Sequence, residues 1–301
     1  MSFSWRRYLL CVVTLLCLFS FCLSSAQDID KLEIKTEKAG EGVYVLFGAG
    51  GNIGVCVGED SALLVDSQFA ELNEKVTAAI AAIKDVPIRY VLNTHWHNDH
   101  VSGNKPLAEG GAIIIAQNDT RERMTTEQYH PLFDTKVPAY PKALLPMVTF
   151  AKSITLHFNG CDIHAFHIKN AHSDSDIVIH FKKANVIHTG DIVFSAGFPF
   201  IDCAHGGSVE GMIQAVYQLM DMTDEETKII PGHGPLTNRK GLKKFRDMMI
   251  TVRDRIKKQV DEGKTIEEIL ASNPTEGFEL EGPGVPAEMF VKIIYSELSG
   301  Q

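Results

Sequence analysis

A dense run of metal-binding side chains follows a short apolar segment in the first third of the chain. The apolar segment, Ile-Arg-Tyr-Val-Leu at 88–92, predicts a buried strand. The run His-Trp-His-Asn-Asp-His at 95–100 comes directly after it. Imidazole and carboxylate groups at this density suit zinc, and side chains two residues apart on an extended loop can face one ion. The fold must therefore place a metal-binding loop at the end of a strand.

The first 26 residues have the pattern of an export signal. Arg6 and Arg7 give a basic start, an apolar stretch covers 9–23, and small residues occupy 24–26. The apolar stretch is shorter than the roughly 20 residues that a membrane-spanning helix needs. We expect cleavage after Ala26 and a periplasmic or secreted mature protein, 27–301, that is no longer attached to a membrane. The choice between general secretory and twin-arginine export stays open.

The composition of this expected mature chain restricts its partners. Removing two arginines and no acids takes the net charge from −9 to −11. Such an acidic surface repels polyanions, so we expect a small-molecule substrate and no nucleic-acid partner. Three cysteines remain, Cys56, Cys161 and Cys203, and this odd number is no disulfide framework and leaves at least one thiol free. The oligomeric state stays open.

Hydrophobic periodicity predicts two rounds of strands followed by helices. The expected strands are 43–47, 53–57, 62–65, 88–92, 113–116, 153–158, 161–168, 177–181, 186–189 and a short one ending at 229–230. The expected helices are 71–84, 101–109, 118–127, 208–222, 239–261, 265–272 and 287–298. Four prolines in 131–146 predict a surface loop there. This order fits two sheets packed face to face with helices outside, in one domain with C-terminal helices from about 239.

Three later segments place more potential ligands at the ends of predicted strands. They are Asn-Ala-His-Ser at 170–173, His-Thr-Gly-Asp at 188–191 and Pro-Gly-His-Gly at 231–234. With the run at 95–100, their order and local contexts resemble the metal-binding signature of the metallo-β-lactamase superfamily. The resemblance covers residues 41–235. It implies an α/β fold of the αββα sandwich type, with two mixed sheets face to face and helices on the outer faces.

The resemblance also implies a centre with two metal ions, which we expect to be Zn²⁺, with iron or manganese as alternatives. The implied ligands are His95, His97 and His172 for the first ion, Asp99, His100 and His233 for the second, and Asp191 as the bridge. Metal binding lowers the pKa of water toward about 7, so a metal-bound hydroxide would attack a carbonyl. Asp99 would be the catalytic residue that orients it and shuttles a proton.

Two further residues are weaker candidates. Asp66 ends a predicted strand, where it either supports the metal loop from behind or simply forms a turn. His205 either lies on a loop over the cleft and touches substrate or has no functional role. The remaining histidines are interpreted as ordinary sheet or loop residues: His130, His157, His164, His167, His180 and His188.

The surroundings of Asp191 separate branches of the superfamily. One group of β-lactamases has cysteine at the Asp191 position and a lysine where this chain has Phe194. The run Thr-Gly-Asp-Ile-Val-Phe at 189–194 is similar to glyoxalase II instead. We expect an exported hydrolase of an activated amide or ester carbonyl, with a β-lactam or lactone as the leading substrate. The alternatives are a glyoxalase II-like thioester hydrolase, an iron-dependent persulfide dioxygenase and a metal-binding protein without catalysis.

Overall fold

The computed structural model describes residues 31–300. The expected export signal lies outside this part of the chain. From Ile34 onward the described residues form one unit. Within them, the helices are all too short or too polar to cross a membrane.

The first sheet carries the strand that leads into the metal-binding run. Its strands are β1 (Lys35–Gly40), β2 (Val43–Phe47), β3 (Ile53–Val57), β4 (Ala62–Val65), β5 (Ile88–Leu92), β6 (Ile113–Gln117) and β9 (Val148–Phe150). They lie in the order β1-β2-β3-β4-β5-β6-β9, antiparallel up to β4 and parallel from β4 to β9. The parallel strands all end at one edge, so the residues that follow β4 and β5 come together there.

The second sheet carries the later candidate ligands. Its strands are β10 (Ser153–Phe158), β11 (Cys161–His167), β12 (Ile177–Phe181), β13 (Val186–His188), β14 (Lys228–Ile230) and β15 (Thr237–Asn238), paired in this order. β13 and β14 are parallel, and the other neighbours are antiparallel. β11, β13 and β14 therefore run in the same direction and end at the same edge.

Helices cover the outer faces of both sheets. They are α1 (Asn73–Ile83), α2 (Asn98–Val101), α3 (Asn104–Glu109), α4 (Asn118–Thr125), α5 (Val209–Asp221), α6 (Arg239–Asp261), α7 (Ile266–Ala271) and α8 (Ala287–Ser299). α5, α6 and α8 pack with the second sheet in one apolar cluster. α1 buries Val76 and Ile80 on the side of the first sheet. The spacing of apolar residues along α5 and α6 gives each helix one buried face.

The main core lies between the sheets. Leu63, Leu92 and Val45 from the first sheet meet Ile163 and Ile179 from the second in one buried cluster. Alternate side chains of each strand point into this layer and are buried there. This explains the apolar alternation along the strands. The predicted αββα sandwich is therefore confirmed.

The structure corrects several predicted elements. The expected helix at 101–109 is two short helices, α2 and α3, separated at Ser102 and Gly103. The expected surface loop at 131–146 holds no long helix, but it contributes to a small hairpin of β7 (Gln128–His130) and β8 (Thr135–Val137). β1 gave no strand signal because its first four residues are exposed and mostly charged. An exposed edge strand lacks the apolar alternation on which prediction depends.

The three described cysteines are all free thiols, whereas the odd count required only one of them to be free. Burial raises the pKa of Cys56 to about 11 and that of Cys203 to about 12. Since the thiolate is the nucleophile, neither thiol is activated at neutral pH.

The packing of α8 makes a prediction about stability. Phe290 is fully buried and its ring stacks on Phe198 with a centroid distance of 5.1 Å. Phe290→Ala should lower the free energy of unfolding by about 3–5 kcal/mol, measured by denaturant titration, because the cavity forms in a packed cluster. Met147 is 77% exposed, so Met147→Ala should change it by less than about 0.5 kcal/mol. Equal effects of the two substitutions would contradict this account of α8.

Candidate metal centre

The loop between β5 and α2 is fixed from behind by Asp66. The Asp66 carboxylate accepts hydrogen bonds of 2.7 Å from the backbone N and from Oγ1 of Thr94. It also accepts from Nδ1 of His100 at 2.8 Å. Asp66 is fully buried and has a φ of +64°, a conformation that a non-glycine residue adopts at some cost. Asp66 therefore supports the loop through its carboxylate. It also forms a turn, and this turn helps to position the carboxylate.

Three histidines converge on the first of two clusters. Nδ1 of His97 lies 3.1 Å from Nε2 of His95 and 3.0 Å from Nε2 of His172. Oδ2 of Asp191 lies 4.0 Å from Nε2 of His95 and 3.9 Å from Nε2 of His172. Four ligand atoms from three separate chain segments thus face one point.

The second cluster shares Asp191 with the first. Oδ2 of Asp99 lies 3.2 Å from Nε2 of His233 and 3.5 Å from Nε2 of His100. Asp191 places Oδ1 3.1 Å from Nε2 of His100 and Oδ2 3.4 Å from Nε2 of His233. The structure therefore brings all seven predicted ligands together, in the predicted grouping, with one carboxylate between the two groups.

Outer hydrogen bonds fix which imidazole nitrogen faces the centre. Nδ1 of His100 donates to Asp66, and Nδ1 of His172 donates to the carbonyl of Phe200 at 2.9 Å. Nε2 of His97 donates to the Asp202 carboxylate at 2.9 Å. Carboxylate and carbonyl oxygens only accept, so these nitrogens carry the protons. In each neutral ring the inward nitrogen then presents a lone pair.

His95 follows the same rule through a hydroxyl. Its Nδ1 lies 3.0 Å from Oγ1 of Thr94, and that hydroxyl already donates to Asp66. Nδ1 of His95 must then be the donor, which leaves Nε2 with a lone pair toward the cluster. Converging lone pairs repel one another unless a cation lies between them, so the donor set fits metal ions.

Two further observations support this fit. Nε2 of His100 and Oδ1 of Asp191 are buried and neither makes a hydrogen bond, although they lie 3.1 Å apart. Buried polar atoms without partners are costly, and a metal ion would satisfy both. Glycines line the centre closely: a Cβ at Gly51 would lie 2.1 Å from Cε1 of His100, and one at Gly232 would lie 2.0 Å from Oδ1 of Asp191.

The electrostatics agree with a cation site. Burial lowers the pKa of His95 well below its usual value and that of His172 to about 4, so both rings are neutral at pH 7 and could bind a cation. Burial also opposes charge on His233, but the carboxylates of Asp191 and Asp99 raise its pKa to about 9. Burial raises the pKa of Asp99, but His100 and His233 lower it to about 2. The carboxylates of Asp99 and Asp191 thus stabilise positive charge in this pocket.

Asp202 is the important residue that sequence analysis missed. It is 1% exposed, and it accepts hydrogen bonds from Nε2 of His97 and from Nδ1 of His205. A carboxylate behind a ligand histidine fixes the ring orientation and raises its basicity. Asp202 is 105 residues from His97 and lies in no recognisable motif, so only the fold reveals the pair.

His130 and His205 occupy different places from those expected. His205 is 4% exposed and lies behind Asp202, against the edge of Trp96. A substrate contact for His205 is therefore not supported by its position. His130, expected to be an ordinary loop residue, stacks on Trp96 at 5.4 Å and lies beside Asp202 and His97. The other histidines predicted as sheet residues, His157, His164, His167, His180 and His188, lie in strands.

The position of Asp191 makes a prediction about metal content. If its carboxylate is shared, Asp191→Asn should reduce bound metal at saturation from two ions to one or none, because an amide is a poor bridge between cations. Elemental analysis of the purified protein measures this directly. The matched control is Asp162→Asn, an exposed aspartate paired with His157, which should keep both ions. Two ions in Asp191→Asn would show that this residue does not bridge.

Comparison with known proteins agrees with this geometry. A hydroxyacylglutathione hydrolase from Pelagibacter ubique is 31% identical over 154 residues, which cover 50% of this chain and 53% of that protein. A β-lactamase-like protein 2 homolog from Caenorhabditis elegans is 21% identical over 183 residues, 59% of this chain and 53% of its own length. The chain thus spans about half the length of the curated relatives it matches.

Solved structures show the same fold. The sec-alkylsulfatase Pisa1 from Pseudomonas sp. superposes with a TM-score of 0.68 at 16% identity, covering 88% of this chain and 50% of that one. The DIM-1 metallo-β-lactamase gives a TM-score of 0.56 at 19% identity, covering 73% of this chain and 99% of that one. The family model of the metallo-β-lactamase superfamily matches residues 47–233, more than half the chain and all seven clustered side chains. This chain belongs to the metallo-β-lactamase superfamily.

Proposed function

We propose that this protein is an exported hydrolase with two zinc ions that cleaves an activated carbonyl: a lactone or β-lactam ring, or a thioester. The observation that carries the proposal is the Asp191 carboxylate, whose two oxygens reach both ligand clusters. When bound, two divalent ions supply Lewis acidity and lower the pKa of water toward about 7. His95, His97 and His172 would hold one ion and Asp99, His100 and His233 the other.

Asp99 is the proposed carrier of the proton. Its side chain is 30% exposed, the most accessible of the seven, which supports a contact with water. Oδ2 of Asp99 lies 3.2 Å from Nε2 of His233, which holds the carboxylate in position. Asp99 can therefore orient the attacking water and accept its proton, then pass that proton to the leaving group.

A thioester is the second candidate substrate, and the sequence favours it at one point. The run Thr-Gly-Asp at 189–191 lies in the matched region, and several curated relatives are hydroxyacylglutathione hydrolases. Their name says that they hydrolyse hydroxyacylglutathione, whereas this chain aligns with 53% of one and 61% of the other. The reaction class is therefore proposed on stronger grounds than the substrate.

Turnover measurements test the proposal. Metal-loaded protein should hydrolyse at least one member of a panel of lactone, β-lactam and thioester substrates, and elemental analysis of the same sample should find zinc. A sample with two bound ions and no turnover across the panel would overturn hydrolysis. Iron in place of zinc, with sulfur oxidation in the presence of O₂, would favour a dioxygenase.

The role of Asp99 gives a prediction for catalysis. Asp99→Asn should lower kcat by about 10²–10⁴-fold, the usual contribution of a positioned proton acceptor. Steady-state kinetics at matched metal content measures it, with Asp162→Asn as the control that keeps wild-type kcat. Wild-type kcat in Asp99→Asn would show that this carboxylate handles no proton.

A further inference from the structure

A cavity opens beside the metal centre, on the side of the β7–β8 hairpin. Its volume is about 580 Å³, within the usual range for small-molecule sites. We call it the hairpin cavity, and its walls come from 130–132, 200–204 and 207 and from α8 through Ile293, Ser296 and Glu297. His130 and Asp202 belong both to this wall and to the group around His97, so the cavity lies directly beside the centre.

The wall nearest the centre is apolar. The Phe200 ring lies 5.9 Å from the rings of both His97 and His172, measured between centroids. The Phe133 ring packs against the Phe200 ring with a centroid distance of 5.4 Å. Phe200 therefore borders both the cavity and the rings of the first cluster.

The hairpin presents large apolar side chains to solvent at this wall. Leu132 is 41% exposed and Phe133 is 45% exposed, and both lie in the short turn between β7 and β8. Neighbouring exposed apolar groups are unfavourable in water, and at the rim of a pocket they mark a binding surface. Here they adjoin the candidate catalytic cleft.

The charged side chains of the cavity wall disfavour the binding of anionic ligands. The acidic side chains in its wall are Asp202 and Glu297, and lysine and arginine are absent from the described residues that line it. Asp202 is occupied by His97 and His205, and Glu297 accepts a hydrogen bond of 2.8 Å from the backbone N of Val209.

Arg123, a cation on which the charge of Asp202 acts, is also occupied. Arg123, whose pKa responds to several acidic groups including Asp202, pairs with the Asp174 carboxylate and donates to Gln128. An anionic group bound in the cavity away from the metal centre would therefore meet acidic side chains without a lysine or arginine of the wall to compensate for its charge.

We propose that the hairpin cavity binds an uncharged, apolar group next to the scissile carbonyl, such as an alkyl chain. This deepens the proposed function and rests on it. It places neutral lactones, esters and thioesters ahead of substrates that carry a carboxylate near the reacting bond, such as β-lactams and glutathione thioesters.

A chain-length series tests the proposal with metal-loaded protein. The substrates are nitrophenyl esters with straight acyl chains of two to eight carbons, and matched esters whose chains end in a carboxylate. kcat/KM should rise about threefold to fourfold with each added methylene that enters the cavity. A terminal carboxylate should lower kcat/KM at least tenfold relative to the neutral ester of equal length. Equal rates along the series, or a preference for the carboxylate, would overturn the proposal.

A charge substitution gives a sharper test. Leu132→Lys should reverse the preference, raising kcat/KM for the carboxylate-terminated ester and flattening the neutral series. The matched control is Leu280→Lys: Leu280 is 40% exposed and lies outside the cavity, so the wild-type preference should remain. A merely structural role of Leu132 would lower all rates together and would contradict the proposal.

A binding measurement separates this proposal from the proposed function. Calorimetry with neutral straight-chain alkyl amides needs no hydrolysis, and the dissociation constant should fall about threefold to fourfold per methylene in wild-type protein and the Leu280→Lys control. In Leu132→Lys this dependence should be weakened. Chain-length-dependent binding without turnover of these esters or of the lactone, β-lactam and thioester panel would refute hydrolysis and keep the cavity assignment. Ester turnover, combined with a dissociation constant for the alkyl amides that does not depend on chain length, would refute only the cavity assignment.

Discussion

The main constraint on this structure is that five imidazoles and two carboxylates share one largely buried pocket. Four of the histidines, His95, His97, His100 and His172, direct their protons outward to Thr94, Asp202, Asp66 and Phe200. In the neutral form of each ring the inward nitrogen then carries a lone pair, and these lone pairs would repel one another. Only positive charge between them makes the arrangement favourable, so the outer hydrogen bonds prepare the centre for metal before any ion binds.

The sandwich fold brings these side chains together at one place. The ligands follow strands of both sheets, at edges where parallel strands end together, and the core between the sheets holds those edges in register. Asp66 shows how closely the scaffold and the site are linked. Its strained backbone and its three hydrogen bonds join β4 to the loop after β5 and to His100.

Hydrophobic periodicity predicted most helices and strands, because it is a local signal. The sandwich and the set of seven clustered side chains were implied by the resemblance to the metallo-β-lactamase superfamily, which rests on four short motifs. Sequence alone could not find Asp202, since the pairing with His97 joins segments 105 residues apart. It left open whether His205 lies over the cleft, and the structure places this side chain behind Asp202. It also missed the β7–β8 hairpin, whose prolines and exposed apolar residues give no strand signal, and therefore missed the cavity that this hairpin helps to form.

Anomalous diffraction from crystals grown with zinc tests the central claim most directly. Data collected above and below the zinc absorption edge locate each ion without assumptions about its ligands. We predict two peaks about 3.5–4 Å apart, one on each side of the Asp191 carboxylate, the separation usual for two-metal sites. A single peak, or two peaks of which only one touches Asp191, would contradict the shared carboxylate on which this account rests.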